Sequence, residues 1–190
     1  MANMVDVSSN NHVGGRPLSW RMMRDEAGIR YAMIKATEGL TYVNPWARID
    51  APEAVECGIE VGFYHFAEPT TGGAGQEADF FGRTVAKLGV PHRIGLALDL
   101  EVRPPGWGWN HVVDWAKVFL GTLSDWAEWT ILYANDEFLT NLPDAPWGHR
   151  LWYARPGARP RRQCWAWQYG TGREPAVEGI DVDELFELPA

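Results

Sequence analysis

Eight short runs rich in β-branched and aromatic residues recur along the chain, and a segment with helical periodicity follows each of the first five. The strand-like runs cover residues 4–9, 31–37, 59–66, 94–101, 129–135, 150–156, 163–169 and 180–186. The helical segments cover residues 18–28, 44–58, 75–89, 109–126 and 135–142. Alternating strands and helices predict a parallel sheet covered by helices, and eight strands are enough to close a barrel. The sequence therefore predicts an α/β protein with a truncated, irregular (β/α) barrel that is TIM-barrel-like.

Length and composition narrow the class of protein. The 190 residues suit a single domain over residues 1–190, and 46% hydrophobic content can fill a sizeable core. The formal net charge of −8 argues against nucleic acid as a partner, because surfaces that bind nucleic acid are basic. The two cysteines, Cys57 and Cys164, are too few for a disulfide framework. We find no apolar run of membrane-spanning length and no signal peptide.

Residues 94–102, "IGLALDLEV", place two acids one residue apart at the end of an apolar run. Side chains alternate along a strand, so Asp99 and Glu101 share the barrel interior with Ala97 while the leucines face the helices. Two residues of about 3.3 Å rise separate their α-carbons by roughly 6.6 Å. In (β/α) barrels the chemistry lies at the C-terminal ends of the strands. A purely structural salt bridge could also explain the pair, but this strand supplies no cation at its neighbouring inward positions.

Two further strands carry acids in the same orientation. Asp6 lies between two valines of the first run, and Asp181 and Asp183 alternate with apolar residues in the last run. The first and last strands of a closed barrel are neighbours, so Asp6 and Asp181 can approach each other. Converging carboxylates repel and raise one another's pKa, which costs stability. The arrangement suits glycoside hydrolysis, which needs one acid protonated and another ionised.

Aromatic residues at strand ends are candidates for contact with a sugar. Tyr64 and His65 end the third strand, and alternation lets only one of them point fully inward. His65 is therefore either a core histidine satisfied by hydrogen bonds or a residue of the site. Trp152, Trp165 and Trp167 lie on the sixth and seventh strands, where they either pack against the barrel or offer flat platforms to sugar rings.

Motifs for metal and cofactor binding are missing from the sequence. The five histidines have no HxxxH or HExxH spacing, and there is no CxxC pair. No GxSxG motif and no glycine-rich phosphate loop is present. We therefore expect no catalytic metal and no cofactor.

Six segments of the chain follow one another in a recognisable order. They are "VDVSS" (5–9), "IKATEG" (34–39), "GFYHF" (62–66), "LALDLE" (96–101), "WAWQY" (165–169) and "GIDVDELF" (179–186). Their order and spacing resemble family 25 of the glycoside hydrolases, the lysozyme-like muramidases common among bacterial and phage lysins. The resemblance covers nearly the whole chain, and it implies a flattened barrel of eight strands and five helices.

The resemblance also implies an activity, cleavage of the β-1,4 bond between N-acetylmuramic acid and N-acetylglucosamine. By position, Glu101 matches the general acid of the family, and Asp99, Asp6 and Asp181 match its other active-site carboxylates. Asp99 would either attack the anomeric carbon or orient a substrate acetamido group that attacks in its place. Asp183 stands where the last motif of the family usually has Asn.

The predicted substrate-binding residues follow from their positions on the strands and from the family resemblance. They are Tyr64, Tyr133, Trp152, Trp167, Lys35 and His65. By the resemblance, Tyr133 points at the sugar. Lys35 belongs to the matching "IKATEG" segment, and we expect it either at the rim of the site or just behind the residues that line it. Tyr64 and Tyr133 are also the candidate hydrogen-bond donors to an ionised Asp99.

These features predict a monomeric hydrolase of peptidoglycan glycan strands, with no nucleic acid as partner and no insertion into membranes. We expect it to be made in a cytoplasm, that of the host in the case of a phage endolysin, and to act on the cell wall after release. A chitinase-like hexosaminidase is a second hypothesis, although the fuller DxxDxDxE run is absent around Asp99. A non-catalytic carbohydrate-binding protein is a third, which the retained carboxylates disfavour.

Overall fold

The first strand of the protein pairs with both the second and the last, which closes the sheet into a barrel. The computed structural model describes residues 3–70 and 73–186. The strands are β1 (Met4–Val7), β2 (Tyr31–Glu38), β3 (Tyr42–Val43), β4 (Glu60–Phe66), β5 (Leu96–Asp99), β6 (Thr130–Asn135), β7 (Arg150–Ala154), β8 (Ala166–Thr171) and β9 (Asp181–Leu185). The helices are α1 (Trp20–Asp25), α2 (Ala47–Glu56), α3 (Ala74–Leu88), α4 (Trp109–Leu123) and α5 (Asp136–Asn141).

The strand order around the barrel is β1-β9-β8-β7-β6-β5-β4-β2, and the two-residue β3 pairs only with the end of β2. Eight strands therefore form the closed barrel, and five helices lie along the described part of the chain. The predicted α/β class and the irregular barrel are confirmed. In residues 3–70 and 73–186, no helix combines the length and the apolar character needed to cross a bilayer.

The direction of the last strand departs from the parallel sheet that the sequence predicts. Among the barrel strands, β1, β2 and β4 to β8 run parallel to their neighbours, whereas β9 runs antiparallel to both β8 and β1. Residues 172–180 join β8 to β9, and a parallel crossover needs at least about 10–12 residues. The reversal brings the N-terminal end of β9 to the barrel end where the other strands finish.

Apolar side chains pack on both sides of the barrel wall. Leu96, Leu98 and Leu100 belong to the outer cluster between the barrel and the helices, as the alternation predicts. Ala97, on the opposite face of β5, belongs to a smaller cluster inside the barrel with Met4 and other residues. Polar residues that share this inward face near the strand ends therefore point into the barrel mouth.

Candidate active site

The C-terminal ends of the parallel strands surround a cavity of about 390 Å³, which we call the mouth cavity. Its lining residues are Asp6, Ser8, Asn10, Asn11, Lys35, Tyr64, Phe66, Asp99, Glu101, Tyr133, Trp152, Gln168, Gly179 and Asp181. All four predicted catalytic carboxylates are in this set. So are four of the six predicted substrate-binding residues.

Asp6 and Asp181 lie directly opposite each other in the antiparallel pair of β1 and β9. Each carboxylate also accepts a hydrogen bond from β8. The amide Nε2 of Gln168 donates to Asp6 Oδ2 at 2.8 Å, and the hydroxyl of Thr171 donates to Asp181 Oδ1 at 2.9 Å. The predicted approach of these two acids is therefore present, and it depends on the reversed direction of β9.

Asp99 ends β5 and is almost completely buried, with 7% of its surface exposed. In register, it lies between Phe66 of β4 and Tyr133 of β6. Its Oδ1 atom is buried and has no hydrogen-bond partner among the described residues. Glu101 follows two residues later, beyond the end of the strand, and is exposed at the rim. The two acids therefore share a cavity but differ in their contact with water.

Burial and mutual repulsion shift the pKa values of these acids upward. For Asp99, burial raises the pKa well above its usual value, and the charges of Glu101 and Asp6 raise it further. Burial and then the charge of Asp181 raise the pKa of Asp6 to about 7, against a hydrogen bond from Gln168. Although Glu101 lies at the rim, the surrounding protein still desolvates its carboxyl and raises its pKa, while a hydrogen bond from Asn135 opposes this.

Lys35 is the one cation among the described residues that line the mouth cavity. Its ammonium group forms an ion pair with Glu38, at the end of the same strand, and lies 4.6 Å from the ring centre of Phe66. The charge of Lys35 lowers the pKa of Asp99, but less than burial and the neighbouring acids raise it. The lining of the cavity therefore has more carboxyl groups than cations to balance them.

Three aromatic side chains that line the mouth cavity contact one another. The ring of Trp152 lies 4.6 Å from that of Tyr133 and 6.2 Å from that of Tyr64, both in edge contacts. Trp152 is 1% exposed, so it supports the two tyrosines and offers little face to a ligand. The Tyr133 hydroxyl donates to Gln168 Oε1 at 2.8 Å, and the Tyr64 hydroxyl bonds with Ser8. Among the described residues, neither of these two candidate donors bonds to Asp99 Oδ1.

His65 does not reach the mouth cavity, and its predicted place there is corrected. Tyr64 takes the inward position, so His65 lies on the outer face of β4 and is completely buried. Its Nε2 lies 2.9 Å from Glu77 Oε2 of α3, and its Nδ1 lies 2.8 Å from the hydroxyl of Thr37. Burial lowers the pKa of His65. It is a core histidine satisfied by hydrogen bonds, one of the two roles that the sequence allows.

Trp167 also lies outside the lining of the mouth cavity. Its neighbours Ala166 and Gln168 face the barrel interior, so Trp167 projects from the outer face of β8. Its indole Nε1 donates to the carbonyl oxygen of Arg155 at 3.0 Å, and the guanidinium of Arg159 lies 5.2 Å from the ring centre. The tryptophan supports the loop after β7 instead of the sugar site that the sequence predicts.

Several polar lining residues are absent from the sequence prediction. Gln168 has a detectable signal, because strand alternation in "WAWQY" places it on the face opposite Trp167. Ser8, Asn10 and Asn11 follow the first strand in a short 3₁₀ turn that begins at Ser9. Their only signal is their position directly after Asp6.

A larger cavity of about 690 Å³ lies at the other end of the barrel, where the strands begin. Its lining includes Glu60, His92, Arg93 and Glu128, and it holds none of the predicted catalytic acids. Size therefore does not identify the site. The mouth cavity has an exposed acid with a raised pKa beside a buried carboxyl, which is an arrangement for transferring a proton.

Comparisons with known proteins agree with this geometry. The model of the family described as glycosyl hydrolases family 25 matches residues 5–176. Over 103 residues, the chain is 33% identical to lysozyme M1 of Streptomyces globisporus, a match that covers 54% of this chain and 33% of that protein. The chain thus matches about a third of the length of this curated relative.

Two solved structures have the same fold. One is a family 25 glycosyl hydrolase from Bacillus anthracis, with a TM-score of 0.82, 23% identity, and coverage of 96% of this chain and 88% of that one. The other is the catalytic domain of endolysin ply40 from bacteriophage P40 of Listeria monocytogenes. It has a TM-score of 0.78 and 20% identity, and the match covers 98% of this chain and 94% of that one. At these identities, the likeness establishes the fold.

Proposed function

The chain belongs to family 25 of the glycosyl hydrolases, and on this premise we propose that it is a peptidoglycan hydrolase of the lysozyme type. It cleaves the β-1,4 bond between N-acetylmuramic acid and N-acetylglucosamine in bacterial cell walls. A lysozyme and the catalytic domain of a phage endolysin, both similar to this chain, support that activity.

The observation that carries this proposal is the convergence of four carboxyl groups on the mouth cavity. Such a cluster destabilises a folded chain, because burial and like charges both oppose ionisation. Glycoside hydrolysis depends on this effect, because one acid must hold a proton while another is ionised. Lys35 offsets only part of the negative charge, and it is already paired with Glu38.

Glu101 is the proton donor to the oxygen of the leaving sugar. It lies at the exposed rim, where a polymeric substrate reaches it without entering the barrel. Desolvation raises its pKa, so a larger fraction of Glu101 holds its proton near neutral pH than of an ordinary glutamate. The hydrogen bond between Asn135 and this carboxyl holds its orientation.

Asp99 is the partner that acts on the sugar. Its Oδ1 is a buried acceptor without a donor among the described residues, which is a costly arrangement for the protein alone. The N–H of a substrate acetamido group would supply that donor. A donor on the carboxylate, together with the positive charge that develops on the sugar ring, lowers the pKa of Asp99 and favours its ionised form. Asp99 thereby orients the acetamido group for attack on the anomeric carbon.

The test is the chemical identity of the ends that the protein creates in peptidoglycan. Purified protein is incubated with peptidoglycan, and the products are reduced and analysed by mass spectrometry. We expect N-acetylmuramic acid at the new reducing ends. Exclusive N-acetylglucosamine at those ends would mean glucosaminidase activity, and new amino groups without reducing ends would mean a peptidase or an amidase.

A parallel incubation with chitin distinguishes a muramidase from a chitinase-like hexosaminidase. Release of chitin fragments at a rate comparable to that on peptidoglycan would favour the hexosaminidase. Binding to either polymer without new reducing ends would favour a non-catalytic carbohydrate-binding protein. The matched control is the Glu101→Gln variant, which keeps the shape of the side chain and loses its titrating proton.

A further inference from the structure

Asp183 is a buried acid beneath the mouth cavity that the proposed reaction does not use. It lies two residues beyond Asp181 on the inward face of β9, and none of its surface is exposed. In register, it is flanked by Met4 of β1 and Gln168 of β8. It therefore sits one layer deeper in the barrel than the acids that line the cavity.

The two carboxyl oxygens of Asp183 have different surroundings. The indole Nε1 of Trp152 donates to Oδ1 at 2.7 Å. Within the described part of the chain, Oδ2 is buried and has no donor. Asp183 lies opposite Met4, and Asp6 is two residues further along the same face of β1, so the carboxyl of Asp6 is the neighbouring group that can share a hydrogen bond with Asp183. Two ionised carboxylates have only acceptors, so this contact requires a proton on one of them.

Neighbouring hydrogen bonds indicate which of the two acids carries that proton. Tyr133 donates to Gln168 Oε1 at 2.8 Å, and the amide of Gln168 then donates to Asp6 Oδ2 at 2.8 Å. Asp6 thus already accepts a bond as a carboxylate, and it is half-buried, whereas Asp183 is fully buried. Burial disfavours charge more strongly at Asp183.

Within residues 3–70 and 73–186, the charged and titratable groups that act on Asp183 offer no counter-ion. Asp6 faces it from β1, Asp181 precedes it on β9, and the phenol of Tyr133 approaches from β6. Its contacts from β7 and β8 are the neutral side chains of Trp152 and Gln168. Burial raises the pKa of Asp183 well above its usual value, and the charge of Asp6 raises it further.

We propose that Asp183 is a positioning residue that keeps its proton at working pH and donates it in a hydrogen bond to Asp6. Above the raised pKa of Asp6, the two carboxyl groups then share one negative charge, as paired acids at close range do. The bond orients the Asp6 carboxylate toward the mouth cavity. Because protonated Asp183 is neutral, it adds no negative charge beneath the acids that line the cavity. This role rests on the proposed function, but the protonation of Asp183 does not.

The first test measures protonation in the wild-type protein without using activity. The carboxyl carbons of aspartates are labelled with ¹³C, and the signal of Asp183 is assigned by its loss in the Asp183→Asn variant. At about pH 6, well above the usual pKa of aspartate, we expect Asp183 to give the signal of a protonated acid. The signal of an ionised carboxylate at that pH would overturn the proposal.

The second test follows stability against pH in the Asp183→Asn variant. The amide can accept from Trp152 and donate to Asp6, so it reproduces both bonds without a titrating group. Wild-type Asp183 binds a proton when folded and releases it when unfolded above about pH 4. Its stabilising contribution is therefore full at low pH and is lost as the pH rises toward its raised folded-state pKa.

The ratio of the folding constants, variant over wild type, should be close to one at or below about pH 4 and should then grow by up to about tenfold per pH unit. The control is Glu184→Gln, which makes the same chemical change on the opposite face of β9. For this control, we expect a constant ratio. A constant ratio for Asp183→Asn as well would overturn the proposal.

Activity on peptidoglycan provides a separate readout of the positioning role. Asp183→Asn should retain cleavage within about threefold of the wild type near neutral pH and should extend it to higher pH, because an amide keeps its proton. Asp183→Leu removes the donor and should lower kcat/KM by about 10-fold or more, the loss associated with one misplaced group. Equal activity of folded Asn and Leu variants would overturn the role, whereas inactive wild-type protein would refute the proposed function and leave the ¹³C result standing.

Discussion

Buried carboxylates occur in two regions of this barrel, and their partners differ. Under the helices, Asp50 accepts from His12 at 2.9 Å and from Trp20 at 3.3 Å. Glu77 lies 2.9 Å from His65 and also accepts from the backbone N–H of residue 68 at 3.1 Å. In the mouth cavity, by contrast, Asp99 has an oxygen with no partner among the described residues.

The two kinds of buried carboxylate have different roles. A buried carboxylate that is bonded to N–H donors holds elements together, and here Asp50 joins α2 to the loop after β1 while Glu77 joins α3 to β4. A buried carboxylate without donors lowers stability, and such unsatisfied groups call for a functional explanation. Departures from full hydrogen bonding are expected at functional sites.

Four predictions test this contrast, and the largest concerns Glu101. Glu101→Gln keeps the size of the side chain and removes the proton that the leaving sugar requires. We expect cleavage of peptidoglycan to fall by about 10²–10⁴-fold, the usual contribution of general acid catalysis. Release of reducing ends measures the rate, and thermal melting checks that the fold persists. A folded variant with most of the wild-type rate would assign the proton to another residue, such as Asp181 or Asp6.

In the layer between the barrel and the helices, loss of a carboxylate should lower the stability of the fold and leave the cleavage rate unchanged. Glu77→Ala leaves the ring N–H of His65 and a backbone N–H without an acceptor, at a cost of about 1–3 kcal/mol for each group. Each kcal/mol lowers Tm by about 2–4 °C in a domain of this size. Calorimetry measures the loss, and the rate per folded molecule should stay near that of the wild type.

Two matched variants control the Glu77 experiment. Glu77→Gln retains one acceptor oxygen and should lose less stability than Glu77→Ala. Glu56→Ala removes an exposed glutamate from α2 and should change Tm little. An undiminished Tm for Glu77→Ala would contradict the structural role that we assign to this region.

Loss of a carboxylate in the mouth cavity should have the opposite sign. Burial raises the pKa of Asp99, so ionisation of this group destabilises the folded chain as the pH rises. Asp99→Asn removes that ionisation, and we expect Tm at neutral pH to rise by about 2–4 °C, equivalent to about 1 kcal/mol. The gain should shrink toward about pH 4, where Asp99 also holds a proton in the unfolded chain.

Melting curves of the wild type and Asp99→Asn at several pH values measure this effect. Cleavage should fall in the same variant, because an amide cannot act as the ionised partner. A lower Tm for Asp99→Asn at every pH would remove the contrast between the two regions.

The smallest expected effect is that of chelation, which should leave both regions unchanged. Within residues 3–70 and 73–186, no group of three or more His, Cys, Asp or Glu side chains is arranged to hold a metal ion. Cleavage and Tm in excess EDTA should equal those of untreated protein. Loss of either property, restored by zinc or calcium, would contradict this prediction.

Local periodicity was sufficient to predict much of this site. Because successive side chains of a strand point to opposite faces, "LALDLE" alone indicates that Asp99 faces the interior while Leu98 and Leu100 face the helices. The same rule orients Asp6 and Asp181. The alternation of strands and helices similarly predicts the barrel, since each helix must cover one face of a sheet.

The alternation rule fails on β2, where the pairing of the strands is irregular. Simple alternation would put Lys35 and Thr37 on one face of β2, but a register shift between them turns Thr37 outward to bond with His65. The sequence left the orientation of His65 open, and this bond together with Glu77 decides it. A bulge depends on the partner strand and is not visible in the pattern of one strand.

Residue order along each strand was enough to establish the barrel and the inward face of its acids, because period-two alternation is a local property of the chain. The direction of β9 and the contact between Asp183 and Asp6 arise only when the ends of the chain meet across the barrel seam. Hydrogen-bond partners and burial then determine which carboxyl groups ionise. Those quantities depend on residues far apart in the sequence, such as Asp6 and Gln168 at a separation of 162.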